Sequence, residues 1–171
     1  MDNKEASYLQ EHEVARFMGW DVVTGSGARP CKPGDVISEY FLVECKTHTK
    51  EQKNICFKQT HWNKIKTEAM AKHKRPLLVT DNGTQDYRNT WVMVPLNVVK
   101  NCSVPKLVEG WNNTSRSGNT VIFPCADSMK LYYAKPEITV TKLFLYNWSD
   151  NDQVAILPLM EFKEFYDERF L

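Results

Sequence analysis

Two carboxylates and a lysine are spaced so that they can share one small region of the protein. Glu44 and Lys46 lie two residues apart in an otherwise apolar run, and Asp35 precedes Glu44 by nine residues. Side chains alternate along a strand, so Glu44 and Lys46 point to the same face. A hairpin that turns at residues 38–40 would bring Asp35 beside both of them. The spacing therefore predicts a pocket with two carboxylates and one ammonium group.

These residue types suit metal-assisted hydrolysis of a phosphodiester. Mg²⁺ prefers oxygen ligands and keeps several waters, so Asp35, Glu44 and the backbone carbonyl of Cys45 form a plausible set. Lys46 beside the metal would polarise or deprotonate the attacking water and stabilise charge on the phosphate. We expect Mg²⁺ as the cofactor, with Mn²⁺ able to substitute. The alternative is that Glu44 and Lys46 form an ordinary solvated ion pair on a strand.

A third carboxylate comes from the first element. Residues 4–18 read as a helix that ends at Gly19. At 3.6 residues per turn, Glu11 falls in the middle of a stripe formed by Tyr8, Val14, Ala15 and Met18. A carboxylate in the middle of an apolar stripe needs a reason.

The remaining patterns indicate a mixed α/β protein with one domain over 1–171. Its core motifs occupy 4–79, and further strands with a closing helix occupy 88–171. The elements expected are strands at 20–23, 35–37, 41–46, 77–79, 91–96, 121–123, 131–134, 142–146 and 154–157, helices at 57–74 and 159–170, and a loop at 112–119.

The segment GSGARPCKPGDVISEYFLVECKTH resembles the core motif of the PD-(D/E)XK nuclease superfamily, and within it the small Holliday-junction resolvases of archaea and phages. The resemblance implies a restriction-endonuclease-like core, a mixed β-sheet flanked by helices. In that family a helix supplies a glutamate, a Ser-Gly loop follows, an aspartate opens a strand and Glu-x-Lys closes the next. The matching positions are Glu11, the loop 25–27, Asp35, Glu44 and Lys46, with one glycine inserted before Asp35. The resemblance implies that Glu11 reaches from its apolar stripe towards the metal; Glu5 and Glu13 are alternatives that lie off the stripe.

Contacts to DNA are expected from the loop and from the helix after the Glu-x-Lys strand. Ser26 is expected to bond the phosphate of the cleaved strand, and Arg29 and Lys32 to clamp neighbouring phosphates. Gln59 is similar in place to a glutamine of the family. Asn63 and Lys66 would share its helical face and line the same phosphate path.

Charge and composition limit the class of partner. The chain of 171 residues has a net charge of only +1, yet residues 46–75 hold nine Lys or Arg and two acids, which gives +7 there and −6 elsewhere. Such a local basic segment fits a polyanion, or else a solvated Lys-rich helix. No dinucleotide or P-loop pattern occurs, so we expect no nucleotide cofactor.

The cellular compartment follows from the cysteines and the N-terminal residues. Five cysteines without a CxxC pair favour reduced thiols in a cytosol. The first residues are polar and no stretch is long enough to span a bilayer, so we expect no signal peptide and no membrane association. The predicted location is cytoplasmic, in the host cytosol if the protein is phage-encoded.

A soft-metal interpretation competes with the magnesium site. Cys45, His48, Cys56 and His61 are ligand types that bind Zn²⁺. The spacing between the two pairs is shorter than in common zinc modules, and Cys45 belongs to an apolar strand face. A buried free thiol therefore accounts better for Cys45.

Taken together, the resemblance implies a Mg²⁺-dependent endonuclease that cuts branched DNA, a phage-type Holliday-junction resolvase. Two symmetric nicks in a four-way junction require paired active sites, so a homodimer is expected. Two alternatives stay open. One is a nuclease of the same superfamily with restriction, repair or replication specificity, and the other is a DNA-binding module that kept the fold without catalysis.

Overall fold

The fold was analysed in a computed structural model. It describes residues 1–24, 33–99, 115–117, 120–124, 144–149 and 152–171, of which 115–117, 121–124 and 144–149 are described by their backbone alone. The helices are α1 (Asn3–Met18), α2 (Gln59–Ala71), α3 (Leu96–Val99) and α4 (Leu159–Phe170), with a 3-10 turn at Tyr87–Asn89. The strands are β1 (Asp21–Val22), β2 (Val36–Ile37), β3 (Phe41–Lys46), β4 (Asn54–Lys58), β5 (Arg75–Asp81), β6 (Thr90–Pro95), β7 (Ser115–Ser117), β8 (Thr120–Pro124), β9 (Phe144–Ser149) and β10 (Asp152–Pro158).

The described strands form two sheets. The larger has seven strands in the order β1-β2-β3-β5-β6-β10-β9, and the smaller has the order β4-β8-β7. Strands β3 and β5 run parallel, and β5–β6 and β6–β10 are antiparallel pairs. The chain returns from β3 to β5 through β4 and α2, the crossover that a parallel pair requires. The predicted mixed α/β sheet flanked by helices is confirmed.

Helices cover both faces of the large sheet. One core cluster joins α1 and α4 to one face, through residues that include Val14, Cys45, Val79 and Phe162. The other joins α2 and β4 to the opposite face, through residues that include Leu42, Phe57, Trp62, Ile65 and Leu78. Strand β3 therefore alternates between the two layers, as predicted: Val43 and Cys45 belong to the α1 side and Leu42 to the α2 side.

Helix α1 begins and ends as its sequence indicates, but its buried stripe differs from the expected one. The Asp2 side chain caps the helix by accepting a hydrogen bond from the Glu5 amide, and Gly19 ends it at φ 72°. The buried residues are Ala6, Gln10, Val14, Ala15 and Met18. Tyr8, assigned to the stripe from the sequence, is 59% exposed. In the first half of the helix the buried positions are Ala6 and Gln10 rather than Tyr8 and Glu11. Glu11 therefore lies at the margin of the buried stripe and is half-buried.

Three other sequence-based boundaries are corrected. Helix α2 begins at Gln59 rather than at 57, because the residues before it form β4 and pair with β8. It ends at Ala71 rather than at 74, and His73 after it has φ 54°. The segment 112–119, expected to be a loop, contains β7, which pairs with β8. The strand expected at 131–134 lies outside the described residues.

Candidate active site

A short hairpin places Asp35 opposite Glu44, as predicted. Val36 pairs with Val43 in the β2–β3 register, and the Asp35 amide donates to the Val43 carbonyl at 2.7 Å. The Asp35 side chain is held as well, because its Oδ2 accepts a hydrogen bond of 2.8 Å from the Cys45 amide. Burial, followed by the negative charge of Glu44, raises the pKa of Asp35 above its usual value.

Glu44 is the central carboxylate of the cluster. It is 1% exposed, and each of its oxygens is bound by a different lysine. Lys46 Nζ lies 2.6 Å from Oε1, and Lys64 Nζ lies 2.6 Å from Oε2. Burial by itself would raise the pKa of Glu44, but the two ammonium groups outweigh it and lower the pKa. Glu44 is therefore an ionised carboxylate with two cationic partners.

The Lys46 ammonium lies between two of the oxygens proposed as metal ligands. It bonds Glu44 Oε1 and also the Cys45 carbonyl, at 3.0 Å. A cationic group already bridges these donors, and they are the hard oxygen donors that Mg²⁺ prefers. The donor set therefore fits a small divalent cation. Among the residues that the structure describes, no group of three or more His, Cys, Asp or Glu side chains is arranged to hold a metal. The fit to a divalent cation therefore rests on carboxylates combined with a backbone carbonyl.

Glu11 reaches the same cluster from α1. Its pKa is raised to about 7, most by burial and then by the negative charges of Asp35 and Glu44, while the positive charge of Lys46 opposes the rise. Glu11 therefore lies within electrostatic range of Asp35, Glu44 and Lys46. The structure brings Asp35, Glu44 and Lys46 together at the β2–β3 hairpin, and it places Glu11 on the neighbouring helix α1.

The raised pKa of Glu11 predicts how stability depends on pH in EDTA. Between pH 4.5 and about 7 the folded protein binds more protons at Glu11 than the unfolded chain does. The free energy of unfolding therefore falls as pH rises through this window. Glu11→Gln should remove that fall and raise stability at pH 8 by about 1 kcal/mol, a value reduced for solvent screening of a half-buried carboxyl.

Urea unfolding of wild type and Glu11→Gln, at pH 5 and at pH 8, measures the difference in the free energy of unfolding between the two proteins at each pH. The subtraction isolates the contribution of Glu11 together with its coupling to Asp35 and Glu44. Glu13→Gln is the matched control, because Glu13 is on the same helix and pairs with Arg16 on the surface. A pH-independent difference for Glu11→Gln would contradict the buried, charge-repelled environment assigned to Glu11.

One side of α2 also faces the cluster, and sequence reasoning missed it. Besides Lys64, it carries Glu68, whose Oε2 accepts a 3.0 Å hydrogen bond from the Gly34 amide. Glu68 thus fixes the backbone directly before Asp35. His61 on the same side is half-buried, and burial followed by Lys46 and Lys58 lowers its pKa. The spacing 61, 64, 68 is a helical face, which is the signal that was available in the sequence.

The DNA-binding residues expected on α2, which are Gln59, Asn63 and Lys66, lie on a different face of the helix. Lys66 bonds Asp152 at 2.7 Å, and Trp62 Nε1 donates to the other oxygen of Asp152 at 3.1 Å. Lys66 therefore points to the start of β10 rather than to Glu44. Gln59 is half-buried and Asn63 is exposed, and their contacts to DNA stay predictions. Ser26, Arg29 and Lys32 lie outside the described residues.

Two buried polar residues support the backbone around Lys46. Gln10, inside the α1 stripe, donates from Nε2 to the Lys46 carbonyl at 2.9 Å. Asp81, at the end of β5, accepts hydrogen bonds from Thr47 Oγ1 and the Gly83 amide through its Oδ1. Gln85 also donates to Thr47 Oγ1, at 2.9 Å. The chain that follows Lys46 is therefore held from α1 and from the β5–β6 connection.

The cysteines of the soft-metal interpretation lie in different sheets. Cys45 is a buried free thiol in β3, on the face covered by α1. Cys56 is in β4, a strand of the smaller sheet. Burial raises the pKa of Cys45 well above its usual value, which disfavours the thiolate that Zn²⁺ requires.

Comparisons with known proteins add no relative. The chain matches no protein-family model, no curated protein and no solved structure. Within the described segments no helix is both long enough and apolar enough to cross a membrane. The geometry of the carboxylate–lysine cluster is therefore the basis for the functional proposal.

Proposed function

We propose that this protein is a Mg²⁺-dependent endonuclease of the PD-(D/E)XK type, with a restriction-endonuclease-like core, that hydrolyses phosphodiester bonds in DNA. The observation that carries the proposal is the cluster of Asp35, Glu44 and Lys46 at the β2–β3 hairpin, with Glu11 of α1 within electrostatic range of it. Glu44 is an ionised, buried carboxylate with a lysine on the same strand face and two further carboxyl groups nearby. Burying these charges costs desolvation free energy, which favours a functional rather than a purely structural purpose.

Each residue has a distinct task in this proposal. Asp35, Glu44 and the Cys45 carbonyl, with Glu11 beside them, would hold Mg²⁺ or Mn²⁺. When bound, the metal supplies Lewis acidity and lowers the pKa of water. Lys46, already hydrogen-bonded to Glu44, is positioned to orient the attacking water and to donate to a phosphate oxygen as charge develops. The Cys45 amide holds the Asp35 carboxylate in one orientation.

The DNA substrate is supported by charge, and its branched form by the resemblance alone. Residues 46–75 carry nine Lys or Arg, and α2, which lies in this segment, contributes Lys64 to the cluster. Phosphate contacts from such a surface are independent of base sequence. The similarity to Holliday-junction resolvases supports a four-way junction as substrate and a homodimer with paired sites. The free thiols of Cys45 and Cys56 agree with a cytosolic location.

Cleavage of a labelled, immobile four-way junction tests this proposal. The junction is compared with linear duplex of the same sequence, each in Mg²⁺ and in EDTA. We expect paired nicks near the branch point in Mg²⁺, at least about tenfold faster than any cutting of the duplex, a difference of about 1.4 kcal/mol in activation free energy. EDTA should abolish cleavage of both.

The other outcomes decide between the alternatives. Equal cutting of linear duplex would keep the nuclease and reject the preference for junctions. Binding of DNA without cleavage in Mg²⁺, Mn²⁺ or any other divalent metal would reject the nuclease and favour the non-catalytic binding module.

A further inference from the structure

Lys64 has a position that the proposed chemistry does not explain. It comes from α2, twenty residues after Glu44 in the chain, and bonds Oε2 of Glu44 at 2.6 Å. Lys46 already bonds the other oxygen of the same carboxylate. Both Glu44 oxygens therefore hold an ammonium group, although Glu44 is expected to ligate a metal.

A divalent cation would add two positive charges to the cluster. Without metal, the carboxyl groups of Glu11, Asp35 and Glu44, and that of Glu68 beside Lys64, face two ammonium groups. A cation that binds Glu44 would compete directly with the ammonium groups that already occupy both of its oxygens. A divalent cation and an ammonium group that bind the same carboxylate also repel each other. One ammonium group therefore gains by leaving.

Lys64 is the lysine better able to leave. Its side chain is 51% exposed, against 37% for Lys46. Lys46 also bonds the Cys45 carbonyl on its own strand, whose second lone pair stays available to a cation. Among the described residues, Lys64 has besides Glu44 a longer contact of 3.8 Å to Glu68. A lysine side chain has a flexible stem of four carbons, so it can place its ammonium group in water at little cost in free energy. Lys64 can therefore turn outwards without disturbing α2.

We propose that Lys64 neutralises Glu44 only in the metal-free protein, and that a divalent cation entering the site releases Lys64 to contact a phosphate of bound DNA. The inference rests on the proposed nuclease function. It makes metal binding and DNA binding cooperative, because the cation frees a phosphate ligand and the phosphate stabilises the outward lysine.

Metal affinity without DNA tests the first half. Calorimetric titration with Ca²⁺ alone should show that Lys64→Gln binds the ion about threefold to tenfold more tightly than wild type, because a competing charge is gone. Gln can still donate to Glu44, so the variant removes charge and keeps a hydrogen bond. Lys64→Arg keeps the charge and should bind Ca²⁺ as wild type does. Equal or weaker binding by Lys64→Gln would overturn the proposal.

The salt dependence of DNA binding tests the second half. In Ca²⁺, the slope of log K against log[salt] for wild type should exceed that of Lys64→Gln by about 0.9, the value for one phosphate contact. In EDTA the two slopes should agree. Lys163→Gln is the control, because Lys163 is also a helix lysine paired with a carboxylate, Asp167 on α4, and it should match wild type in both conditions. Equal slopes in Ca²⁺ would reject the released phosphate contact.

A measurement on the wild type avoids any dependence on how the variants fold. In spectra of the lysine side-chain ammonium groups, the Lys64 signal should be protected from solvent exchange in EDTA and lose that protection when Ca²⁺ saturates the site. A signal that stays protected would overturn the proposal even if the protein cleaves DNA. Absence of Ca²⁺ binding together with absence of cleavage would instead reject the nuclease itself.

Discussion

Asp35→Asn should cleave a four-way junction about 10³-fold more slowly than wild type, the scale of losing one electrostatic group of a catalytic site. The substitution is a sharp test because the amide oxygen of Asn can still accept the hydrogen bond that the Cys45 amide donates to Asp35. The hairpin and the position of Glu44 should therefore persist. What is lost is a negative charge that the proposed metal requires.

The binding of DNA should survive in this variant. Without Asp35 the cluster is less negative, so electrostatic repulsion of the phosphates falls and junction affinity should equal or exceed that of wild type. Asp35 also raises the pKa of Glu11, so the pKa of Glu11 in the variant should move down towards its ordinary value. Cleavage rates at saturating Mg²⁺, junction affinity in Ca²⁺ and an NMR titration of Glu11 measure the three effects.

Asp21→Asn is the matched control, because Asp21 is an exposed aspartate in the adjacent strand β1. It should cleave at the wild-type rate. If Asp35→Asn also cleaved at the wild-type rate in Mg²⁺, the assignment of this cluster as the catalytic site would be wrong, whatever activity the protein has.

Gly83→Ala should destabilise the protein by about 3 kcal/mol or more, a large value for one methyl group. Gly83 has φ 95°, and a Cβ there would lie 2.4 Å from the Lys50 carbonyl oxygen and 2.8 Å from its carbon. These are backbone atoms, so the clash can be relieved only by moving the chain that follows β3. The Gly83 amide also bonds Asp81, which holds Thr47 directly after Lys46.

Gly19→Ala separates the clash from the cost of the backbone conformation. Gly19 has φ 72°, yet nothing lies within 4 Å of the Cβ position. This variant should cost only about 1 kcal/mol, the strain of a left-handed conformation. Urea unfolding measures both free energies, and Ca²⁺ titration should show weaker binding for Gly83→Ala alone. An equal loss in the free energy of unfolding for the two variants would contradict the close approach of Gly83 to the Lys50 backbone.

The sequence by itself determined the elements whose signals are local. Residues 41–46 form the strand predicted for them, with Glu44 and Lys46 on the α2 side and Cys45 on the α1 side. The closing helix over 159–170 has the predicted bounds. The turn at 38–40 brings Asp35 to Glu44 because a hairpin joins neighbours in the chain. Period and turn chemistry act over a few residues, so one sequence suffices to recognise them.

The environment of these residues was decided by the tertiary structure. Lys64 reaches Glu44 across 20 positions of the chain, Glu68 reaches Gly34 across 34, and Gln10 reaches the Lys46 carbonyl across 36. Each contact depends on which face of a helix lies against the sheet and on how the β3–α2–β5 crossover positions that helix. A shift of one residue in helical register turns a side chain by about 100°, so spacing along the chain does not specify these partners. Strand β4 escaped prediction for the same reason, since its short alternating run of Ile55 and Phe57 is stabilised by packing against α2 and by pairing with β8.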